Sequence, residues 1–356
     1  PLIRALQSRY PGHRVMVTTS TPTGSERVRA SLGDSVFHVY APYDLPDALA
    51  RFLNRTRPCL LVVMETELWP NTIAACHKRG IPIIVANARL SEKSARGYGR
   101  FAAMATPMLQ RLSCVAAQHR DDAARFLGLG LPPAQCEVTG SIKFDLTLDD
   151  ELRRRAAALK QQWSLDGRRS VCIAASTHQG EDELVLQAFA EARRLSPQLF
   201  LVLVPRHPER FERVAELCRA SGFTSVRRSQ AGPVETADIL LGDTMGELLL
   251  LLGAADFAFV GGSLVPTGGH NMIEAAAWQL PVLSGPHLFN FAEASRLLTE
   301  VGAMRVVEDA EALGREMVEL SEDSAERAVR GAAGLAVAEA NRGALARLLT
   351  LIDRYL

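Results

Sequence analysis

Two glycine pairs lie on a short segment that joins a buried apolar run to a predicted helix. The segment contains Gly261-Gly262-Ser263 and then Gly268-Gly269-His270-Asn271, and the helix is predicted over residues 272–278. Backbone N–H groups at glycines and at a helix start can bind an anion such as a phosphate. Glu274 falls on the first helical turn, where a carboxylate can accept hydrogen bonds from ribose hydroxyls. The sequence predicts an anion or nucleotide site here, and the simpler alternative is a tight turn with Asn271 as the N-cap.

Arg206 follows a second apolar run and is flanked by Pro205 and by His207-Pro208. Ligands of open α/β sheets bind outside the carboxyl ends of the strands. A planar guanidinium at that place can contact a phosphate or a base edge. We therefore predict that Arg206 binds a ligand, whereas His207 can equally be a neutral structural histidine.

Two carboxylates, Glu65 and Glu67, follow a buried run in the first half of the chain. Such groups are candidates for acid–base chemistry or for stabilising positive charge. They can face one side only if the chain stays extended between them, because residues two apart on a strand share a face. A turn would separate them, and capping of the following helix is a fair alternative role.

Lys143 lies in the string Gly140-Ser141-Ile142-Lys143, close to a predicted domain boundary. Its ammonium could neutralise charge on a leaving phosphate, although a solvated linker lysine is the better interpretation of the residues alone. Two further strand-to-helix loops, residues 174–178 and 243–247, could present backbone N–H groups to a nucleotide. A capped turn explains each loop as well.

Four basic residues, Arg89, Lys93, Arg96 and Arg100, are spaced by four, three and four positions. On a helix they would form one stripe. Such a stripe suits lipid phosphates or an anionic membrane surface, at about 1 kcal/mol per charge. A solvated helix face is the alternative.

Short apolar runs alternate with helical patterns, which is typical of an α/β fold with parallel sheets. We predict strands over residues 15–19, 59–64, 81–86, 114–117, 171–175, 199–204, 239–241, 257–260 and 281–283. The pattern predicts two Rossmann-like, doubly wound lobes that face a central cleft holding the ligand. The expected divisions are an N-terminal lobe over residues 1–148, a second lobe over residues 149–330, and C-terminal helices over residues 331–356 that pack back toward the first lobe.

Composition excludes several classes of protein. The 356 residues are 47% hydrophobic and carry 40 basic and 40 acidic side chains, which excludes disorder as the main state. The longest apolar stretch, residues 239–260, contains three acidic residues and is not expected to span a membrane. The six cysteines lack metal-site spacing, and neither the dinucleotide fingerprint nor the Walker motif occurs. Residues 1–150 hold 18 basic against 13 acidic side chains, an excess that fits an anionic partner or chance.

Four strings occur in order along the chain: residues 64–71 (Met-Glu-Thr-Glu-Leu-Trp-Pro-Asn), 139–145 (Thr-Gly-Ser-Ile-Lys-Phe-Asp), 205–208 (Pro-Arg-His-Pro) and 261–274. In these strings the chain resembles the bacterial Kdo transferases of lipopolysaccharide synthesis, from its first residue to its last. The resemblance implies a GT-B glycosyltransferase that is inverting, metal-independent and free of cofactors. Such an enzyme moves 3-deoxy-D-manno-oct-2-ulosonic acid (Kdo) from CMP-Kdo to a lipid A precursor of the lipid IVA type.

The resemblance also implies a location and partners. The expected partners are CMP-Kdo, the lipid A precursor and a membrane surface, with no nucleic acid. The expected location is the cytoplasmic face of the bacterial inner membrane, with the chain as given soluble.

The resemblance assigns roles to particular residues. It places the first lobe on the acceptor and the second on CMP-Kdo, and it implies that Glu65 and Lys143 stabilise the transition state, which overrides the linker interpretation of Lys143. The implied CMP contacts are Pro205, Arg206, Met245, Gly246, Glu247, Asn271, Met272, Ile273 and Glu274. Arg89, Lys93, Arg96 and Arg100 are the candidates for contact with the acceptor or the membrane, and no metal ligand is expected.

One departure from the family pattern concerns the general base. Family members carry a hydrophobic N-terminal anchor and, on their first strand, a Ser-Val-Gly-Glu string whose glutamate deprotonates the acceptor. Neither occurs in this chain, so both are expected before Pro1, and the chain as given is expected to lack the base and the first strand. Loss of such a base lowers rates by about 10² to 10⁴. A noncatalytic nucleotide-binding fragment remains an alternative, as does a nicotinamide-dependent oxidoreductase, which the missing fingerprint disfavours.

Overall fold

The computed structural model describes residues 1–230 and 232–356. Contacts divide the described chain into two compact units, residues 1–145 with 341–356, and residues 146–340. Each unit combines parallel β-sheet with α-helices, which confirms the predicted α/β class. No helix in the described part of the chain is both long enough and apolar enough to cross a membrane.

The first unit contains a four-stranded sheet of order β3-β4-β5-β6 and a separate pair, β1 with β2, and every pairing is parallel. Its strands are β1 (Met16–Thr19), β2 (Phe37–Tyr40), β3 (Leu61–Met64), β4 (Ile83–Ala88), β5 (Cys114–Ala117) and β6 (Cys136–Val138). Its helices are α1 (Leu2–Arg9), α2 (Pro22–Leu32), α3 (Pro46–Thr56), α4 (Pro70–Lys78), α5 (Glu92–Arg100), α6 (Ala102–Leu109), α7 (Arg120–Gly128) and, from the end of the chain, α16 (Ala344–Ile352).

The central strand β4 is buried along its whole length. Alternate side chains point to opposite faces of the sheet. Ile83 and Val85 belong to a core that includes Ile73 of α4 and Leu109 of α6, while Ile84 belongs to a second core with residues of α16. Helix α16 therefore completes the first unit, although it follows the second unit in sequence.

The second unit contains a seven-stranded parallel sheet of order β13-β12-β11-β7-β8-β10-β9. Its strands are β7 (Ser170–Thr177), β8 (Leu199–Pro205), β9 (Ser225–Arg227), β10 (Ile239–Leu241), β11 (Phe257–Val260), β12 (Val282–Ser284) and β13 (Met304–Val306). Its helices are α8 (Asp150–Trp163), α9 (Asp182–Leu195), α10 (Phe211–Ala220), α11 (Leu248–Leu252), α12 (Ile273–Ala277), α13 (Ala292–Glu300), α14 (Ala310–Glu322) and α15 (Ser324–Ala340).

The chain order reverses in this sheet between β7 and β11. Strands β8 to β10 extend from one side of β7, and β11 to β13 extend from the other. In doubly wound sheets the ligand crevice lies outside the carboxyl ends of the strands at such a reversal. His178 follows β7, Arg206 follows β8 and Gly261 follows β11, so all three begin at this edge.

The helix predicted over residues 272–278 is present as the five-residue α12, Ile273–Ala277, one residue shorter at each end. One expectation about helices is wrong. Arg89 does not lie on a helix, because α5 begins at Glu92 after the side chain of Ser91 caps it. Of residues 331–356, the part up to Ala340 belongs to α15 in the second unit, and α16 belongs to the first.

Candidate functional site

The loop after β11 is held by a buried carboxylate, Glu181, which is 0% exposed. Its Oε2 accepts hydrogen bonds from the backbone N–H groups of Gly262 at 2.6 Å and His178 at 3.1 Å. Its Oε1 accepts from the N–H groups of Ser263 at 3.0 Å and Leu264 at 2.9 Å. The carboxylate of Glu181 thus already accepts hydrogen bonds from several N–H groups of the glycine loop.

The expectation that bare amides of this loop face a phosphate is therefore wrong for several of them. Gly262 and Ser263 donate to Glu181, Gly261 donates to the carbonyl of Ala175 at 2.8 Å, and Gly269 donates to the carbonyl of Gly262 at 2.7 Å. Sequence inspection missed Glu181. Its signal was an acidic residue four positions after the end of β7 and directly before α9, and a helix cap explains that signal equally well.

Arg206 and Glu274 lie close enough for their charges to interact. Burial raises the pKa of Glu274, while a hydrogen bond from Asn271 and the nearby charge of Arg206 lower it. Asn271 donates from Nδ2 to Glu274 Oε1 at 2.9 Å and accepts at Oδ1 from the N–H of Ile273 at 3.3 Å. Arg206 itself is placed by its own N–H, which donates to the carbonyl of Thr177 at 3.0 Å. A guanidinium and a partly buried acid are thus brought together at the edge where β7, β8 and β11 end.

The other predicted CMP contacts differ in how a ligand could reach them. The side chains of Pro205, Met272 and Ile273 are buried, so only their backbone atoms are candidates for contact. Met245 is exposed, and Gly246 adopts a positive φ of 83°, which a side chain would strain.

Glu247 lies in the loop with Met245 but is tied to the protein. Its carboxylate accepts from Arg228 at 3.1 and 3.2 Å and from the Thr244 hydroxyl at 2.5 Å. The hydrogen bond from Arg228 is the main reason that the pKa of Glu247 is lowered. Glu247 therefore fixes the shape of this loop.

In the first unit the structure pairs Glu65 with Lys143, and Lys143 Nζ lies 3.4 Å from Glu65 Oε1. Glu65 directly follows β3 and has a positive φ of 57°, so the chain turns there. The turn separates the two carboxylates, and Glu67 instead accepts from Trp69 Nε1 at 3.2 Å. Both side chains of the Glu65–Lys143 pair remain partly exposed.

The carboxylate that caps α4 is Asp44, which sequence inspection missed. It accepts from the N–H groups of Asn71 at 3.0 Å and Thr72 at 2.7 Å and from the Thr72 hydroxyl at 2.8 Å. Capping by Glu65 or Glu67 was therefore the wrong alternative. Only a contact between distant parts of the sequence brings Asp44 to this helix.

The basic stripe is shorter than predicted. Lys93, Arg96 and Arg100 lie on α5 and are exposed, whereas Arg89 precedes the helix and is half-buried. Two large apolar side chains follow the stripe, Phe101 at 66% and Met104 at 58% exposure.

Comparison with solved structures defines the class. The protein HepE of Anabaena, solved in complex with UDP, shares the fold at a TM-score of 0.65 with 14% identity, covering 100% of this chain and 95% of its own. The C-terminal CMP-Kdo binding domain of WaaA from Acinetobacter baumannii is 32% identical with a TM-score of 0.50, covering 53% of this chain and 98% of its own. The architecture is that of the GT-B glycosyltransferases, with two Rossmann-like units, as predicted.

Comparison with curated sequences defines the family. The family model for 3-deoxy-D-manno-octulosonic-acid transferase (kdotransferase) matches residues 1–146. The 3-deoxy-D-manno-octulosonic acid transferase of Haemophilus influenzae is 48% identical over 100% of this chain and 83% of its own length. The enzyme of the same name from Bordetella pertussis is 36% identical over 100% of this chain and 84% of its own. The chain belongs to the Kdo transferase family and is a glycosyltransferase, so the oxidoreductase alternative is set aside.

Proposed function

We propose that this chain transfers Kdo from CMP-Kdo to a lipid A precursor of the lipid IVA type, with inversion and without a metal ion. In this reaction an acceptor oxygen forms a bond to the anomeric carbon, the bond from that carbon to the CMP phosphate oxygen breaks, and the acceptor proton passes to a general base. Family membership supports the reaction. The observation that carries the donor site is the placement of Arg206 directly after β8, with its charge near the carboxylate of Glu274 that Asn271 holds.

We assign the donor nucleotide to the second unit. Arg206 would contact the phosphate through charge-assisted hydrogen bonds, and Glu274 would accept hydrogen bonds from the ribose hydroxyls. The backbones of Pro205, Met272 and Ile273 and the side chain of Asn271 complete this end of the site. The exposed loop at Met245 and Gly246, whose shape Glu247 fixes, would face the base.

We assign transition-state stabilisation to Lys143 and Glu65 in the first unit. Lys143 Nζ lies 3.4 Å from Glu65 Oε1, and an ammonium group can donate up to three hydrogen bonds. Charge that develops on the departing phosphate is the partner that an ammonium stabilises best. Glu65 holds the ammonium in place and would contact the sugar or the acceptor.

We assign membrane contact to α5 and the residue that follows it. Lys93, Arg96 and Arg100 are exposed and would bind lipid phosphates, and Phe101 is exposed beside them. Interfacial segments combine basic and aromatic side chains in this way. The lipid acceptor and the proposed location on the cytoplasmic face of the bacterial inner membrane agree with this arrangement.

Calorimetric titration with CMP tests the donor site in the full-length enzyme. Arg206→Ala should weaken CMP binding by about 10- to 100-fold, because a hydrogen bond to a charged group is lost. Glu274→Ala should also weaken it, whereas Arg213→Ala, at an exposed arginine of α10, should leave it unchanged. Unchanged affinity in both site variants would remove the assignment.

A transfer assay with CMP-Kdo and lipid IVA tests the reaction itself. The enzyme should release one CMP for each Kdo that appears on the lipid, and a chelator should not lower the rate. Release of CMP without glycosylated lipid would contradict the proposal.

A further inference from the structure

Two imidazoles meet at the point where the sheet of the second unit reverses its order. His178 follows β7, and His270 lies between β11 and α12. Their Nε2 atoms are 2.7 Å apart, the ring planes differ by 11°, and the ring centroids are 5.0 Å apart. A separation of 2.7 Å is a hydrogen-bond distance, so the nearly parallel rings meet edge to edge through Nε2.

The contact restricts the protons that the two rings can hold. One Nε2 must carry the hydrogen and the other must accept it. Two doubly protonated rings would point two Nε2–H groups at each other, so the pair in this arrangement can take up at most one extra proton. It is therefore either neutral or singly positive.

The surroundings keep the free pair neutral at neutral pH. Burial, reinforced by the charges of His178, Arg206 and His207, lowers the pKa of His270 to about 4. Burial and the neighbouring His207, Arg210 and Arg206 lower the pKa of His178, against the opposing charge of Glu181. The Glu181 carboxylate is already engaged by backbone N–H groups. Of the other carboxylates nearby, Asp182 pairs with Arg210, and Glu209 Oε1 lies 4.0 Å from His207 Nδ1. Glu274 accepts from Asn271 and interacts with the charge of Arg206. The site is thus rich in basic groups, and its carboxylates are already engaged.

The local backbone is shaped to admit the His270 ring. Gly262 has a positive φ of 69°, and a Cβ there would lie 2.9 Å from His270 Cδ2. The rings of His178 and His207 also meet edge to face, with centroids 5.3 Å apart. Within residues 1–230 and 232–356 no set of three His, Cys, Asp or Glu side chains is placed to hold a metal ion.

We propose that His178 and His270 form a proton-sharing pair that binds an anionic oxygen group of the donor, either its phosphate or the carboxylate of its sugar, and gains one proton as that group binds. This inference rests on the proposed function, and it adds the groups that would bind the phosphate or the sugar carboxylate of the donor. The bound anion offsets the charge of Arg206 and so favours the protonated pair. The residues bind and position the donor through hydrogen bonds.

Calorimetry in buffers of different ionisation enthalpy measures the proton directly. The full-length enzyme is titrated with CMP, which carries only the phosphate, and with free Kdo, which carries only the carboxylate. At neutral pH one of the two ligands should bind with uptake of up to one proton. His178→Gln and His270→Gln keep a hydrogen-bonding group near Nε2 but cannot take up a proton. Each variant should therefore bind that ligand about 10- to 100-fold more weakly and without proton uptake. His77→Gln, at an exposed histidine of α4, is the matched control and should change neither quantity.

Each outcome decides the inference. If the histidine variants bind CMP more weakly and bind Kdo as the wild type does, the phosphate is the partner of the pair. If they bind Kdo more weakly and CMP unchanged, the carboxylate is the partner. Unchanged affinity and unchanged proton uptake for both ligands overturn the inference, while the proposed function survives if Arg206→Ala still weakens CMP. If the wild type binds neither ligand, the proposed function fails and this inference fails with it.

A second measurement covers the case in which a variant does not fold. Proton NMR of the histidine Cε1–H groups follows the pair in the wild type as pH is varied. With the bound ligand present, the pair should titrate at higher pH than without it. An unchanged titration with both ligands overturns the inference as well.

Discussion

The side chain of Asn87 accepts a hydrogen bond from the backbone N–H of Ile142 at 3.0 Å. The bond joins the irregular end of β4 to the short turn over Ile142–Phe144 that carries Lys143. Asn87 is buried, has a positive φ of 52°, and accepts at its carbonyl from Gln118 Nε2 at 2.7 Å. The position of the Lys143 ammonium therefore depends on an asparagine that never needs to touch a substrate.

Removal of the Asn87 side chain should loosen Lys143. Asn87→Gly and Asn87→Ala both leave the Ile142 N–H without its partner, at a cost of about 1 to 3 kcal/mol in the free energy of unfolding. The left-handed backbone conformation at position 87 also costs alanine about 1 kcal/mol more than glycine. Urea unfolding should order the proteins as wild type, glycine, alanine, while kcat falls similarly in both variants. A kcat that follows stability alone would show that Asn87 has only a structural role.

Loss of the Lys143 charge should lower the rate of the chemical step more than it lowers the affinity for the donor nucleotide. Lys143→Ala should lower kcat by about 10² to 10³, as removal of a transition-state hydrogen-bond donor does. The Kd for CMP should change little, since the assigned CMP contacts lie in the second unit. Lys78→Ala, at an exposed lysine of α4, supplies the control. Normal turnover of Lys143→Ala would remove its proposed role, and Glu65→Gln should show a smaller loss because the ammonium charge is retained and the amide oxygen can still accept from it.

Glu181 should be essential to the loop after β11. In Glu181→Gln an amide NH2 replaces one oxygen, and each oxygen accepts from two backbone N–H groups. Two buried donors then lose a charged acceptor, which should lower the free energy of unfolding by about 3 kcal/mol or more. Glu183→Gln, at an exposed position in the first turn of α9, should stay within about 0.5 kcal/mol of wild type. Equal stability of the two variants, measured by denaturant unfolding, would contradict the anchoring role.

Asp243 should make the second unit sensitive to acid. Burial alone would raise the pKa of this carboxyl, but hydrogen bonds from Ser229 and Arg227 outweigh it and leave the pKa lowered. A lowered pKa contributes stability that is complete above the unfolded value of about 4 and is lost as the pH falls through the folded value. Asp243→Asn should be less stable than wild type at neutral pH, and the difference should shrink below about pH 4. Thermal unfolding at several pH values, with exposed Asp34→Asn as the control, measures this, and a constant difference would refute it.

Most strands could be predicted from the sequence, but four short strands at sheet edges could not. Every predicted strand is present with ends within two residues, because buried parallel strands are continuous apolar runs. The strands β2, β6, β9 and β13 were not predicted. Each has three or four residues, lies at a sheet edge and is not fully buried, so its apolar signal is weak.

Contacts that join distant parts of the chain also escaped prediction. Residue types and strand ends indicated Arg206, Glu274 and Glu65, since a strand end is a local feature. The roles of Glu181 and Asp44 depend on loops that are far away in sequence. The prediction for Arg89 was wrong for a local reason. Its spacing fitted a helix, but the cap at Ser91 makes that helix begin only at Glu92. In addition, the N–H of Leu90 is held by the buried Asp122 at 2.9 Å, outside the helix.

The shortened basic stripe makes a prediction about membranes. Lys93, Arg96 and Arg100 are exposed on α5, and each charge near an anionic bilayer contributes about 1 kcal/mol. Lys93→Gln/Arg96→Gln should therefore weaken binding to phosphatidylglycerol vesicles by about 30-fold at low salt, and less at high salt because ions screen the charges. Arg51→Gln/Arg55→Gln on α3 of the same unit removes the same net charge from exposed positions. If vesicle flotation shows the same loss in both double variants, net charge rather than α5 explains the binding. A selective loss in the α5 variant, with Phe101→Ser weakening the salt-resistant part, supports membrane contact through this helix.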